Sequence, residues 1–460
     1  MPTGRENRWL PGSAVRHPGA VNPSTSPPTP YRSVTLSTDD AERMMTLEHL
    51  VWFEVAPGVS ALEGIDTFDF ARGGALEVSP LGQIGTVAQQ AAPLVGMYGA
   101  YDMALTVPGP IGAVATIAMN GLTWVGVHPD HRRRGILRSM MTEHLHGIHD
   151  RGDAAIASLW AAEVGIYGRY GYGTAALEVM LTLSSGTELQ APAHIAEAAK
   201  AITTHMAPAH TGAASAAIQQ VHAAAAQRSV GSITRPESIA SVWFRDTPKR
   251  GGEKEPRQVV FAVRDGEPVG YAVIRRTSVW DDHNNPEGEM SVGEMAAVDP
   301  TALHALVSRL LSFDLISKVK MYSRSTDDPL LWWAGGPRTT RTSITDGLWV
   351  RLVDVPKALT QRGYAAACDV VIGATDETCP WNTGRWHLEV GDDGVGHCQA
   401  TRAAADLELD VAALGSAYLG GRSIASLAQA GFAVEHTAGA VGRLSRAMRA
   451  DIEPLGTFGF

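Results

Sequence analysis

A chain of 460 residues is too long for one compact core, so two or three domains are expected. Its 45% apolar content is ordinary for a globular protein, and no run of about 18 apolar residues suggests a transmembrane helix. The net charge of −10 argues against nucleic acid as the main partner. A negative field would attract cationic substrates, or serve solubility alone.

Residues 1 to about 32 include "NPSTSPPTP" and read as a disordered or tag-like extension without an apolar signal segment. "STDD" (Ser37 to Asp40) then precedes a helix through "AERMMTLEHLVWFEV", with Thr38 or Asp39 placed to cap it. "PLVGMYGAYDMALTVPG" and "LTWVGV" read as strands, bounded by Gly and Pro. The following segment, "HRRRGILRSMMTEHLHGIHD", is predicted to be a helix starting near Arg134. Ile136, Met140, Leu145 and Ile148 form its apolar face. "AAIASLWA" is a further strand, and "GIYGRYGYG" is turn-rich.

A second region repeats this outline. Val259 to Arg276 reads as a hairpin turning at Asp265-Gly266. Gly293 to Phe313 reads as strand, turn and helix, with Val298 and Pro300 mirroring Val127 and Pro129. In that register Arg132 to Gly135 correspond to Leu303, His304, Ala305 and Leu306, as in a duplication that has lost its arginines and glycine. The last region holds a hairpin in "WHLEVGDDGVGHCQAT" and a strand leading into a helix in "LELDVAALGSAYLGG". Cys368, Cys379 and Cys398 are few and odd in number, which fits reduced thiols in a cytoplasm. His397 and Cys398 lack a second ligand pair at zinc-like spacing, so no metal is expected. The tail, "DIEPLGTFGF", is apolar and ends on Phe460, whereas most tails are polar.

Three arginines, Arg132 to Arg134, and Gly135 stand where a strand gives way to a helix. The first amides of a helix have no intrahelical partner and, with its dipole, attract anions. Arginines there add charge-assisted bonds to phosphate, and glycine allows close approach to the backbone. A di- or polyphosphate small molecule fits, although basic residues at a helix start are also common solvated surface. There is no Gly-Lys-Ser/Thr of a P-loop and no three-glycine dinucleotide fingerprint.

The spacing Val-x-Val-x-Pro-x-x-Arg-x-x-Gly, here Val125, Val127, Pro129, Arg132 and Gly135, resembles the acyl-CoA motif of GNAT acetyltransferases. Leu137 replaces the usual final Gly or Ala, but its amide can still donate. A narrower resemblance rests on "HPDHRRRGILRSMM", "EVGIYGRYGYGTA", the degenerate second copy and the terminal Phe. Together these are similar to Eis-type (enhanced intracellular survival) N-acetyltransferases of actinobacteria. The fold this implies is α+β, with two GNAT-like domains, the second degenerate, and a sterol-carrier-like α/β domain. The corresponding segments are 33–185, 186–345 and 346–460, after the 1–32 extension.

The resemblance implies acetyl-CoA as co-substrate and amines of aminoglycosides, or lysine side chains, as acceptors, with no metal. Tyr167 matches the general acid and the Phe460 carboxylate the general base; Tyr170 and Tyr172 match positions without that role. Arg132, Arg133 and Gly135, with backbone groups of Val125, Val127 and Leu137, match the CoA site. Trp124 would border the thioester, and Glu54, with help from Asp66 or Asp69, would receive a cationic amine. The resemblance also implies a homohexamer. No cysteine lies in the first domain, which disfavours an acyl-enzyme. A non-catalytic CoA- or lipid-binding scaffold is the alternative; it would need neither Tyr167 nor a free terminal carboxylate.

Overall fold

The computed structural model describes residues 31–53, 65, 68–78, 92–236, 240, 243–244 and 255–460. Glu54 and Asp66 lie outside these residues. Among the described residues there are three sheets. The first runs in the order β1 (Tyr31–Val34), β2 (Gly74–Val78), β3 (Leu94–Pro108), β4 (Val114–Val127) and β5 (Ile156–Trp160), then strand Leu348–Leu352 and β6 (Gly173–Thr174). The second runs from Ser343–Asp346 through β7 (Leu177–Ser184), Ile316–Arg324, Gly288–Ala297, Glu267–Thr277 and Gln258–Arg264 to Thr203–Pro208. The third has the order Gly396–Ala400, Gly384–Val390, Cys368–Thr375, Leu407–Asp410, Ala433–Glu435.

The sheets interleave the chain. β7 leaves the first unit to join the second sheet, pairing with Ile316–Arg324. Strand Leu348–Leu352, after the second unit, returns to the first sheet between β5 and β6. Its run of Leu, Trp, Val, Arg and Leu is buried throughout, as a central strand requires.

Helix α1 spans Ala41–Trp52, α2 Ile136–Arg151 and α3 Val164–Tyr167. Ile136, Met140, Leu145 and Ile148 are buried, so α2 packs on the first sheet with the face its spacing indicates. The start of α1 departs from expectation. Neither Thr38 nor Asp39 is the cap: Ser37 precedes a 3-10 turn, and its N–H donates to the Asp40 carboxylate at 3.0 Å. Asp40 wins because the third position of the turn can reach back to the residue before it.

The second unit contains the expected hairpin, closed by Asp265 and Gly266 at φ +53° and +84°. The third domain packs face-on against the first sheet. One apolar core includes Tyr101, Met103 and Val350 of the first sheet with Ile372, Leu414 and Phe458. No described helix is long and apolar enough to cross a membrane.

Candidate active site

The site begins where two parallel strands part. β4 and β5 pair only from Met119 to Gly121 with Ile156 to Ser158. Beyond that point β4 continues to Val127 and β5 to Trp160 without further pairing between them. A wedge opens there, bordered by backbone groups of β4 that β5 does not satisfy. On its other side β4 bulges against β3. Met97 faces Gly126 and Gly99 faces Thr123, so Trp124 and Val125 together oppose Tyr98. Trp124 takes the extra turn at φ +55°, and its indole Nε1 donates to the Tyr101 hydroxyl at 3.3 Å. The bulge puts Trp124, Val125 and Val127 along one side of the wedge.

The arginine loop lies at the wedge's end. A 3-10 turn, Pro129–His131, is followed by Arg132 to Gly135, all exposed. Arg133 and Gly135 have φ of +61° and +84°. Gly135 caps α2, which therefore starts at Ile136 rather than near Arg134. The first helical bond runs from Ser139 N to Gly135 O at 3.0 Å. The amides of Ile136, Leu137 and Arg138 precede it, so the helix lends them no acceptor. Arg134, though exposed, turns back to the Tyr31 hydroxyl at 3.3 Å, whereas Arg132 and Arg133 stand in the loop as exposed cations. This set of donors suits a pyrophosphate.

Tyr167, at the end of α3, is buried in the core shared by α2 and the ends of β4 and β5. Burial pushes its phenol up to about 12, and Glu163 adds to the shift, so it keeps its proton at neutral pH. Tyr172 packs edge-on to it, centroids 6.1 Å apart, and is wholly buried, its hydroxyl without a partner among the described residues. The tyrosine loop is fixed from the third domain. The buried Arg351 donates through Nε to the Tyr170 carbonyl at 2.7 Å and through Nη2 to both Asp376 oxygens at 2.8 and 2.7 Å. Gly171 and Gly173 admit Val411 and helix Val411–Ala417 so closely that a Cβ at either position would collide with them.

Phe460 is half-buried at the fork itself. A Cβ on Gly121 would lie 2.7 Å from its ring, and Trp160 at the end of β5 lies beside Gly456 and Gly459. The loop, Tyr167 and the terminal residue therefore gather around the parting of β4 and β5. Gly121 and Trp160 did not stand out in the sequence; only the tail's path reveals what they do. Asp69 accepts the N–H of Ala71 at 3.0 Å, a local turn bond. Burial pushes the Cys398 thiol up to about 12, so the His397–Cys398 pair offers no ready thiolate. Among the described residues no group of His, Cys, Asp or Glu could hold a metal.

Two models described as acetyltransferase (GNAT) domain match residues 84–175 and 231–352, and one described as sterol carrier protein domain matches 355–455. An uncharacterized N-acetyltransferase of Streptomyces coelicolor is 35% identical over 388 residues, covering 81% of this chain and 87% of its own. N-acetyltransferase Eis of Mycobacterium bovis is 32% identical over 376 residues, covering 80% and 86%. The structure of Eis1 from Mycobacterium abscessus is similar with a TM-score of 0.72 at 27% identity, over 94% of this chain and 100% of its own. An acetyltransferase from Anabaena variabilis shares the fold with a TM-score of 0.73 at 16% identity, over 93% and 100%. The degenerate second copy and the sterol-carrier-like third domain thus stand as expected. The chain belongs to the Eis-type GNAT N-acetyltransferases, enzymes that use acetyl-CoA, with two GNAT domains and a sterol-carrier domain.

Proposed function

We propose that this enzyme acetylates amines of aminoglycosides, and lysine side chains, by direct transfer from acetyl-CoA. The observation that carries this reading is the placement of Phe460 against Gly121 at the β4–β5 fork, with the protonated Tyr167 in the separate core under α2. Arg132 and Arg133 bind the pyrophosphate, with Gly135 and the Leu137 amide. Backbone groups of Val125 and Val127 take the pantetheine arm, and Trp124 borders the reacting end. Acetyl-CoA supplies an activated acyl group. The Phe460 carboxylate accepts the proton of the attacking amine, and Tyr167 gives its proton to the departing sulfur. The net charge of −10 supports a cationic acceptor, and Glu54 is proposed as one carboxylate that meets it. The assembly proposed is a homohexamer, on family resemblance, and the compartment the cytoplasm, in keeping with three free cysteines.

Thiol release from acetyl-CoA with kanamycin as acceptor tests the reading. Deleting Phe460, or extending the chain beyond it, should lower turnover about a hundredfold or more, the scale of a lost proton-transfer group. Acetyl-CoA affinity and melting temperature should stay near wild type. Equal turnover in the extended and native forms would rule out Phe460 as the base.

A further inference from the structure

Before reaching the fork, the tail runs across the second unit. Leu455 N donates to Val230 O at 2.9 Å, and the Thr457 hydroxyl accepts from Ile233 N at 3.1 Å. Gly231 passes so near that a Cβ on it would lie 2.7 Å from the Leu455 carbonyl oxygen. The Phe458 ring then lies under the Arg235 guanidinium, 3.9 Å from centroid to carbon, with Trp243 edge-on at 5.1 Å. Phe458 is buried, whereas Gly459 is exposed and has no side chain to hold it. Phe458 is thus the last buried side chain before the terminal residue.

Arg235 is itself fixed. Its side chain is fully buried, and Nη2 donates to Glu294 at 2.5 Å. The other Glu294 oxygen accepts from the Tyr271 hydroxyl at 2.5 Å, and His222 Nδ1 lies 3.0 Å from that hydroxyl. No step of the proposed chemistry uses these groups. A buried ion pair adds little net stability over apolar packing of the same volume. Here it holds a planar cation among three rings, Phe458 nearest at 3.9 Å and Phe244 and Trp243 at 5.0 and 5.2 Å, and cation–π contacts are strongest when desolvated.

We infer that Arg235, held by Glu294, is a positioning residue: by stacking on Phe458 it fixes where the Phe460 carboxylate stands at the fork. The inference rests on the reading of Phe460 as the base. A residue spans at most about 3.6 Å of extended chain, so release of Phe458 would let the carboxylate move farther than proton transfer tolerates.

Two variants test it. Phe458→Leu keeps apolar volume but loses the ring face. Arg235→Lys keeps a charge for Glu294 but loses the planar stack. Each should lower kcat about tenfold or more while the acetyl-CoA KM and melting temperature remain near wild type. Carboxypeptidase, followed by intact mass, should release Phe460 at least about tenfold faster than from the wild type. In a chain already lacking Phe460, Phe458→Leu should lower turnover no further. If a variant loses its melting transition, Thr457→Val, which removes the hydroxyl's contacts to Ile233 N and His222 Nε2, gives the same two readouts. Wild-type kcat and wild-type trimming in these variants would overturn the inference. The base would still stand if deletion of Phe460 alone abolished turnover. Faster trimming with unchanged kcat would instead overturn the base reading, and the positioning role with it.

Discussion

In the first GNAT domain, residues 128–135 separate β4 from α2; in the second, only Val298 and Asp299 separate strand Gly288–Ala297 from helix Pro300–Leu311. The sequence register pairs Arg132 to Gly135 with Leu303 to Leu306, yet the structure places the latter inside the helix. The second copy has therefore lost the loop as well as its arginines. In the first domain the helix start is left with free amides, capped by Gly135 at positive φ. In the second, the Asp299 carboxylate accepts from Ala302 N at 2.8 Å and is held by both terminal nitrogens of Arg264 at 2.8 and 3.1 Å. The first domain's helix start is open, and the second fills the equivalent place with its own carboxylate. We propose that only the first binds CoA and that the buried polar groups of the second serve the tail.

The largest effect expected at a single side chain lies in the tyrosine loop of the first domain. Tyr167→Phe removes the one proton that the proposed chemistry uses there, and turnover should fall about a hundredfold or more. The KM for acetyl-CoA should change little, because in the proposed mechanism Tyr167 acts only as the thiolate departs. Tyr172→Phe is the control. Its hydroxyl is buried without a partner among the described residues, so activity should stay near wild type. Steady-state kinetics on both decide the assignment; full turnover in Tyr167→Phe would remove its role.

Much of this contrast is legible in the sequence. Ile136, Met140, Leu145 and Ile148 mark the buried face of α2 because a helix repeats locally. That exposed arginines precede the start of α2 was legible for the same reason, since these residues are neighbours in the chain. What stayed hidden depends on distant partners. Nothing in "LTWVGV" shows that Trp124 takes a positive φ, because that bulge is set by register against Met97 and Gly99. "LWVRLV" reads as a strand, but not as one that returns to the first sheet beside β5. Gly121 and Gly173 look like ordinary glycines until Phe460 and the helix from Val411 press on them. Arg235 meets Phe458 only through the fold. Asp299 was recognisable as a helix start, since Asp before Pro is a strong signal of one.

The contrast sharpens at Arg133, whose counterpart in the second domain, His304, is a half-buried helix residue. Arg133→Ala should raise the KM for acetyl-CoA about tenfold, corresponding to the roughly 1.5–3 kcal/mol of a charge-assisted hydrogen bond. Backbone strain does not confound the comparison, because Ala at φ +61° bears the same penalty as Arg. Calorimetric titration should find one acetyl-CoA per chain, bound in the first domain. A second equivalent, or an unchanged KM in both Arg132→Ala and Arg133→Ala, would break the contrast.

The smallest effect tests the second domain's self-capped helix. Asp299→Ala removes an N-cap worth about 1 kcal/mol and a partly exposed ion pair worth about 0–1 kcal/mol. Urea unfolding at neutral pH should therefore show a loss of about 1–2 kcal/mol. Hydrogen bonding from Arg264 and the Ala302 amide, against some desolvation, holds the Asp299 carboxyl below its usual range. A carboxyl lowered in the folded state stabilises fully above its unfolded pKa of about 3.9 and loses that contribution as pH falls through its folded value. The gap between wild type and Asp299→Ala should thus hold steady at neutral pH and narrow only below about pH 4. Turnover and acetyl-CoA stoichiometry should not change, because uncovering the helix start restores neither the loop nor its arginines. A gap that persists unchanged into strong acid would show that the side chain acts by packing rather than by charge. A second bound acetyl-CoA in the variant would show that Asp299 alone had kept that site closed.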